Sequence, residues 1–378
     1  MNLPLNKDLA VRLVTSLSEF ESLRTEWDQL VDKCPQATVF QTFAWNFRWW
    51  CSFRKRFGRR LLVVTLRSHG PDKRLVGIAP LMTGFWYSTP LRRISFIGTG
   101  TSDYLDIIAA DDWSDQVIHE FYAWISKYRS WWVADLQQLR EGAILRSKPC
   151  DPIIALRLAE IPQEPCPYLN LSETWNETLA TFGKKTRSNI NYYDRNLHKT
   201  HEVAVRIVAS EDELTEQLET LFELHSRRWN KRWLPGVFSS QSVRSFHHTV
   251  AKDLLQMGLL RLFYITLDGE TQASLYCFAG KDRIMYYQGG FEPTLANMSL
   301  GTVLTSRAIQ QAINEGKDVF DFLRGDEPYK QKWTKLSSHN CRQMITSKTP
   351  GRFAVTQCVQ RIADQMEYKA KRLARKLR

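Results

Sequence analysis

The chain has 378 residues, 43% of them hydrophobic and 24% charged, with only 18 Gly and 14 Pro; this excludes collagen-like, low-complexity and largely disordered classes and leaves room for two domains. Its 52 Lys and Arg against 40 Asp and Glu give a net +12, and Arg361 to Arg378 alone sets seven basic residues against Asp364 and Glu367. An acidic partner is therefore expected, whether a polyanionic cofactor, nucleic acid or anionic lipid.

The longest uncharged stretch, Leu75 to Leu91, is interrupted by Gly77, Pro80, Gly84 and Pro90 and falls short of the roughly 20 apolar residues that a membrane-spanning helix needs. Met1 to Asp8 shows no basic patch followed by an apolar core, so no secretory signal is expected. The cysteines at 34, 51, 150, 166, 277, 341 and 358 are odd in number, widely spaced and without a CxxC pair, which implies neither a disulfide framework nor a zinc ribbon. A cytoplasmic setting is the expectation.

In chain order, periodicity predicts a strand over Val11 to Thr15, helices over Ser18 to Val31 and Thr42 to Phe57, and strands over Leu61 to Arg67, Leu75 to Met82, Ile94 to Ile97 and Tyr104 to Ala109. A helix over Trp113 to Lys127 and strands over Trp131 to Leu136 and Ile153 to Leu158 complete the first half. The aromatic run Phe40 to Phe53 reads as core rather than as a sugar platform. Between the halves, Gly183 to Arg195 is a basic, aromatic, helix-like segment, either a solvated connector or an anion-binding face.

The second half opens with a strand over Val203 to Val208, then helices over Glu211 to Arg232 and Ser242 to Met257. Three strands follow, Leu259 to Leu267, Thr271 to Ala279 and Arg283 to Gly289, separated by Asp268-Gly269-Glu270 and Gly280-Lys281-Asp282, which is hairpin chemistry. A helix over Leu300 to Asn314, a strand over Val319 to Leu323, a helical turn near Tyr329 to Trp333 and a strand near Cys341 to Thr346 close it. Both halves share this element order although no residue-level repeat is visible. The expected domains are 1–170, a connecting helical segment 171–202, a second domain 203–350, and a basic amphipathic helix 351–378.

Chemistry concentrates between Ile284 and Trp333. A helix start presents unpaired N–H groups, so Ser299 near the cap, Gly301 permitting close approach and Thr302 beside it can hold a pyrophosphate. The pair His198/His201 has no nearby Cys, and the adjacent His247/His248 point apart on a helix, so no metal site is expected. Gly98-Thr99-Gly100 lacks the third glycine and the following helix of a dinucleotide fingerprint.

Ser299-Leu300-Gly301 opening a helix, a strand ending Asp321-Phe322-Leu323-x-Gly325, and Tyr329-Lys330-x-x-Trp333 together resemble the GNAT-like acyltransferases of the cellulose-biosynthesis CelD type, relatives of the FemAB peptidoglycan aminoacyltransferases. Phe40-Gln41-Thr42-x-x-Trp45-x-x-x-Trp49-Trp50 and Gly98 to Asp106 are similar to the same family, so the resemblance spans roughly Phe40 to Thr346. It implies an α/β (mixed α+β) fold of two tandem GNAT-like domains, each a mixed sheet flanked by helices. It also implies transfer of an acyl group from acetyl-CoA or another acyl-CoA, without a metal, to a sugar, nucleotide sugar or related acceptor in envelope or exopolysaccharide synthesis. Backbone N–H groups along Tyr286 to Gly290, including Gly289, would polarise the thioester; Asp321 is the first candidate base, with Glu327 and Asp326 as alternatives, and Tyr329 the acid. Lys330 would contact a phosphate, and Asp103, Tyr104, Asp106 and Trp333 would face the acceptor, the first three in a cleft between the halves. The rivals are a FemAB-like aminoacyltransferase using charged tRNA and a non-catalytic scaffold whose basic tail holds RNA or the inner face of an anionic membrane.

Overall fold

Alternation of buried and exposed side chains makes Leu9–Val14 the first strand, β1, followed by the short helices α1 (Leu17–Ser22) and α2 (Arg24–Asp32). The computed structural model describes residues 9–56, 58–87, 89–128, 130–147, 156–230 and 236–376. Its contacts divide it into two units, Met1–Gln163 with His339–Arg378, and Glu164–Ser338.

In the first unit, α3 (Phe43–Phe53) is capped by the Thr42 hydroxyl, which accepts from Trp45 N–H, and is followed by β2 (Arg60–Ser68), β3 (Leu75–Phe85) and β4 (Arg92–Phe96). The short β5 (Ile108–Ala109) pairs with β3; then come α4 (Ser114–Lys127) and β6 (Val133–Leu139). Only two residues of the strand expected from Tyr104 form one, because the Gly98 to Asp106 stretch is a loop tied to α3. Trp45 Nε1 donates to Ser102 Oγ at 2.8 Å, and Gln41 Nε2 to the Tyr104 carbonyl at 3.0 Å. The aromatic run is core as expected: Phe20, Trp27, Phe43 and Phe47 pack ring to ring with centroids 5.1–5.9 Å apart.

The strand β7 (Leu156–Asn170) continues well beyond the expected end at Leu158, while 153–155 lie outside the described residues. The second unit then adds α5 (Trp175–Thr181) and α6 (Lys184–Thr200), whose Ile190 and Leu197 are buried in its core. An ion pair from Arg307 to Asp194 at 2.8 Å also ties α6 down, so the basic connector packs into this unit. Next are β8 (Val203–Ile207), α7 (Glu211–Asn230), α8 (Gln241–Gln256), β9 (Leu260–Leu267), β10 (Glu270–Ala279) and β11 (Arg283–Phe291). Residues 231–232 of the helix expected to reach Arg232 lie outside the described residues. At the β9–β10 turn, Asp268 and Gly269 both take positive φ (52° and 87°), as a tight hairpin requires. The helix α9 (Leu300–Asn314) buries Leu300, Val303, Leu304, Ala308, Ile309 and Ala312 at three- and four-residue steps. It stops at Gly316 (φ 66°), where Lys317 N–H returns to the Ala312 carbonyl. The strand β12 (Val319–Asp321) ends two residues before its expected limit because Leu323 turns into a left-handed conformation (φ 55°).

After the second unit the chain contributes β13 (Ser337–Ser347), whose residues from Cys341 onward pair with β6, and α10 (Pro350–Lys376) to the first. The two sheets then share one plan. In the first, β1, β2, β3 and β4 run antiparallel in sequence order, β4 pairs parallel with β6 across α4, and β6 pairs antiparallel with β13. In the second, β8 to β11 repeat the antiparallel run, β11 pairs parallel with β12 across α9, and β12 pairs antiparallel with β7. Contacts therefore place 339–350 with the first unit, not with the stretch 203–350 read as one domain. The start of α10 packs on its own unit: Val359 joins the Trp86, Val133 and Met344 cluster, and Thr356 is buried. Ile362 and Met366 are exposed, and the tail residues Lys371, Arg372, Arg375, Lys376 and Arg378 lie outside the described side chains.

Candidate active site

In the second unit β11 is paired along its length with β10, but with β12 only over Arg283–Met285. From Tyr286 onward no strand among the described residues pairs with its other edge, and the two strands part. The register skips Tyr287, with Cys277 opposite Tyr286 and Tyr276 opposite Gln288, so a bulge interrupts the alternation of N–H directions where the gap opens. The turn at Pro293–Met298 brings the chain back to Ser299, the N-cap of α9.

A cleft of about 240 Å³ fills this gap. Tyr286, Gly289 and Gly290 line it from β11, Ser299, Gly301 and Thr302 from the start of α9, and Tyr329 and Trp333 from the turn beyond β12. Eight of the expected site residues thus meet at one place. Ser299 differs from expectation in detail: its backbone is left-handed (φ 53°) and its side chain makes no capping bond. The Thr302 and Val303 N–H groups donate to the Ser299 carbonyl (2.8 and 3.3 Å), whereas those of Leu300 and Gly301 have no acceptor within the helix. A Cβ built on Gly301 would meet only Phe291 Cδ1 at 3.9 Å, so the glycine keeps the approach to them open. Gly290 has a second duty, since a Cβ there would lie 2.8 Å from the His225 backbone nitrogen of α7.

Other expected residues are engaged elsewhere. Asp321 is buried; its carboxylate accepts from Leu323 N–H at 2.8 Å, fixing the left-handed turn, and from Arg283 at 3.2 Å. Burial works against the Arg283 charge, but Asp282 and Asp321 outweigh it and hold that pKa above the ordinary arginine value. Lys330 is buried, and its amine donates to the carbonyls of Leu323 (3.3 Å) and Arg324 (2.8 Å) and pairs with Glu327 at 3.0 Å. Neither Asp321, Glu327 nor Lys330 lines the cleft. The exposed Asp326 does not line it either.

Asp103, Tyr104 and Asp106 are buried in the first unit. Asp106 accepts from the N–H groups of Ile107, Ile144 and Leu145, and burial, outweighing those bonds, pushes its pKa up to about 7. The Asp103 carbonyl accepts from Asn340 Nδ2 at 2.8 Å. These residues knit the loop to β13 and are part of the first unit's interior.

Lys332, absent from the expected set, lines the cleft and donates to Thr302 Oγ1 at 2.7 Å. Although much of the residue is open to solvent, desolvation of its amine lowers its pKa. Ser274, opposite Gly290 on β10, also lines the cleft; its buried Oγ and the buried Trp333 Nε1 have no hydrogen-bond partner among the described residues. Buried polar groups left this way are satisfied by a ligand or water. An open helix start, an amine beside it and two unsatisfied polar atoms fit a phosphate-bearing acyl carrier. Among the described residues no group of three His, Cys, Asp or Glu is placed to hold a metal ion.

A mixed sheet whose parallel central strands part over a helix start defines the GNAT class of acyltransferase, and residues 184–331, all within this unit, match the family model described as an acetyltransferase (GNAT) domain. That segment is thus a domain of the acyltransferase class. The structure of the chain is similar to that of FemX, with a TM-score of 0.60, 12% identity and coverage of 88% of this chain and 96% of that one. It also resembles the C-terminal domain of a putative lysylphosphatidylglycerol synthetase from Agrobacterium fabrum, with a TM-score of 0.52, 9% identity and coverage of 90% and 95%. A conserved protein of unknown function from Bacteroides thetaiotaomicron VPI-5482 gives a TM-score of 0.54 at 9% identity, covering 89% of this chain and all (100%) of that one. At these identities the likeness is one of fold. No curated protein matches the sequence.

Proposed function

We propose that the second unit transfers an acyl group from coenzyme A to an amine or hydroxyl of a saccharide or nucleotide-sugar acceptor. The observation that carries this reading is the convergence of the α9 start, the Lys332 amine and the Tyr329 side chain on one cleft. When bound, coenzyme A supplies an acyl group activated as a thioester. The first-turn N–H groups of α9 and Lys332 hold its phosphates. Backbone N–H groups on the free edge of β11 polarise the acyl carbonyl, and the Tyr329 hydroxyl gives its proton to the departing sulfur. The described lining contains no Asp, Glu or His, so the acceptor's proton passes to solvent, and Asp321 acts by shaping the turn. The CelD-type motifs support a sugar acceptor in envelope or exopolysaccharide synthesis.

Likeness in fold to FemX and to the lysylphosphatidylglycerol synthetase domain favours a second reading, in which the transferred group is an aminoacyl carried by tRNA. A thermal-shift titration separates the two. Saturable stabilisation by acetyl-CoA, about 2.7 kcal/mol at a hundredfold excess over Kd, followed by thiol release with a nucleotide sugar, is the expected result. No shift with any acyl-CoA, together with salt-sensitive tRNA binding, would replace the first reading with the second.

A further inference from the structure

The first unit carries a feature that acyl transfer does not use. Two adjoining hollows of about 790 and 670 Å³ lie at the end of its sheet where β2 and β4 begin and β3 ends, and they share Arg59 and Thr83. Arg54, Lys55, Arg56, Arg59, Arg60 and Arg92 line them, and no Asp or Glu does. None of these six pairs with a carboxylate among the described residues; Arg93, which also lines the second hollow, pairs with Asp135 at 3.3 Å.

Two of the guanidinium groups are held in place without being neutralised. Arg59 donates one N–H to the Phe53 carbonyl at 2.8 Å and lies over the Trp49 ring at 4.9 Å. Arg92 donates one to the Gly58 carbonyl at 2.8 Å and lies over Phe85 at 4.7 Å. Gly58 (φ 81°) lets that loop rest on the same ring, since a Cβ would meet Phe85 Cδ2 at 2.5 Å. A guanidinium has five donors in a planar fork, so each keeps most of them for a ligand. Burial, with Arg56 and Arg93 nearby, lowers the Arg59 pKa to about 10, as expected of a cation that lacks a counter-charge.

We propose that this basin is a binding site for a pyrophosphate group, of the kind carried by nucleoside diphosphates. Arg59 lines both hollows, so two linked phosphates, one in each, can straddle it. The sites are concave and walled by Trp50 and Tyr128 on one side and Tyr87 on the other, which suits a discrete ligand with a flat base rather than a polymer lying across a surface.

Isothermal titration of the full chain with inorganic pyrophosphate and with UDP tests the assignment, with inorganic phosphate for comparison. Pyrophosphate is expected to bind more tightly than phosphate. Arg59→Ala should weaken it by about tenfold or more, the scale of one charge-assisted hydrogen bond. The double variant Arg54→Glu/Arg60→Glu changes two exposed side chains, should melt like the parent and should weaken binding further. Equal affinity for phosphate and pyrophosphate would overturn the proposal, as would unchanged pyrophosphate binding in a double variant that melts normally. Binding of a short single-stranded RNA or of phosphatidylglycerol vesicles that is lost in the double variant, with pyrophosphate failing to compete, would overturn it in favour of a polymeric or membrane anion.

Discussion

Tyr329 and Lys332 stand three residues apart on a 3-10 turn, whose period of three puts them on one face, and both line the cleft, while Lys330 between them is buried away from it. This separates two lysines that look interchangeable. Lys332→Ala should weaken acetyl-CoA binding about 10- to 100-fold with little change in melting, whereas Lys330→Ala strands the Leu323 and Arg324 carbonyls and should cost about 1–3 kcal/mol of stability, read by urea unfolding. Tyr329→Phe should lower turnover by about 10²- to 10⁴-fold at nearly constant acetyl-CoA affinity, the mark of a general acid; parental turnover would return that proton transfer to water. His247 gives a pH test independent of chemistry. Burial, with a smaller contribution from neighbouring His248, lowers its pKa to about 3, among the rings of Phe238, Phe246, Tyr276 and Tyr287. The unfolded chain takes up this proton near pH 6.5 and the folded one does not, so the contribution to stability is complete above about 6.5 and is lost as pH falls toward 3, by up to about 1.4 kcal/mol per unit. His247→Phe should flatten that slope in unfolding curves measured across the window. At this scale the motif Tyr329-Lys330-x-x-Trp333 located the turn, but residue types alone did not reveal which lysine lines the cleft; that depended on the turn's period.

At the scale of elements, α9 was legible from end to end because its apolar spacing and the Gly316 stop agree, and both are local signals. Its open start yields a prediction in which function and stability part company. Glycine is a poor helix former and Gly301 has free space around it, so Gly301→Val should leave the melting temperature nearly unchanged while filling the approach to the first-turn N–H groups. Loss of acetyl-CoA binding in a folded variant is expected, and unchanged affinity would move the phosphate site elsewhere. Strands were less legible where their partners lie far away in sequence. The run from Tyr104 looks β-rich, yet Trp45, Trp49 and Gln41 hold its start as a loop. The extension of β7 to Asn170 was missed because Pro162, Pro165 and Pro167 argue against a strand; the Pro165 and Pro167 carbonyls still accept from Gly325 and Phe322 N–H (2.8 and 2.9 Å), and β12 pairs with Tyr168 to Asn170 beyond them.

For the whole molecule, the shared element order of the two halves was visible in the sequence, but the source of each unit's sixth strand was not, since nothing local marks β13 as the partner of β6. The second unit is one continuous segment, so residues 164–338 expressed alone should melt cooperatively and retain acetyl-CoA binding, whereas 1–163 alone, lacking β13 and α10, should not fold. Circular dichroism melts of both fragments check this, and a stable 1–163 would show that β13 is dispensable. The same arrangement sets a timetable during synthesis. The first 163 residues leave the ribosome with an open sheet edge along β6, and the strand that closes it follows only after residues 164–338 have been translated. At roughly 5–20 residues per second the wait is on the order of ten seconds or more. Throughout that interval the nascent chain exposes an unpaired strand, a natural client for chaperones, and the last unit to be started is the first to be finished.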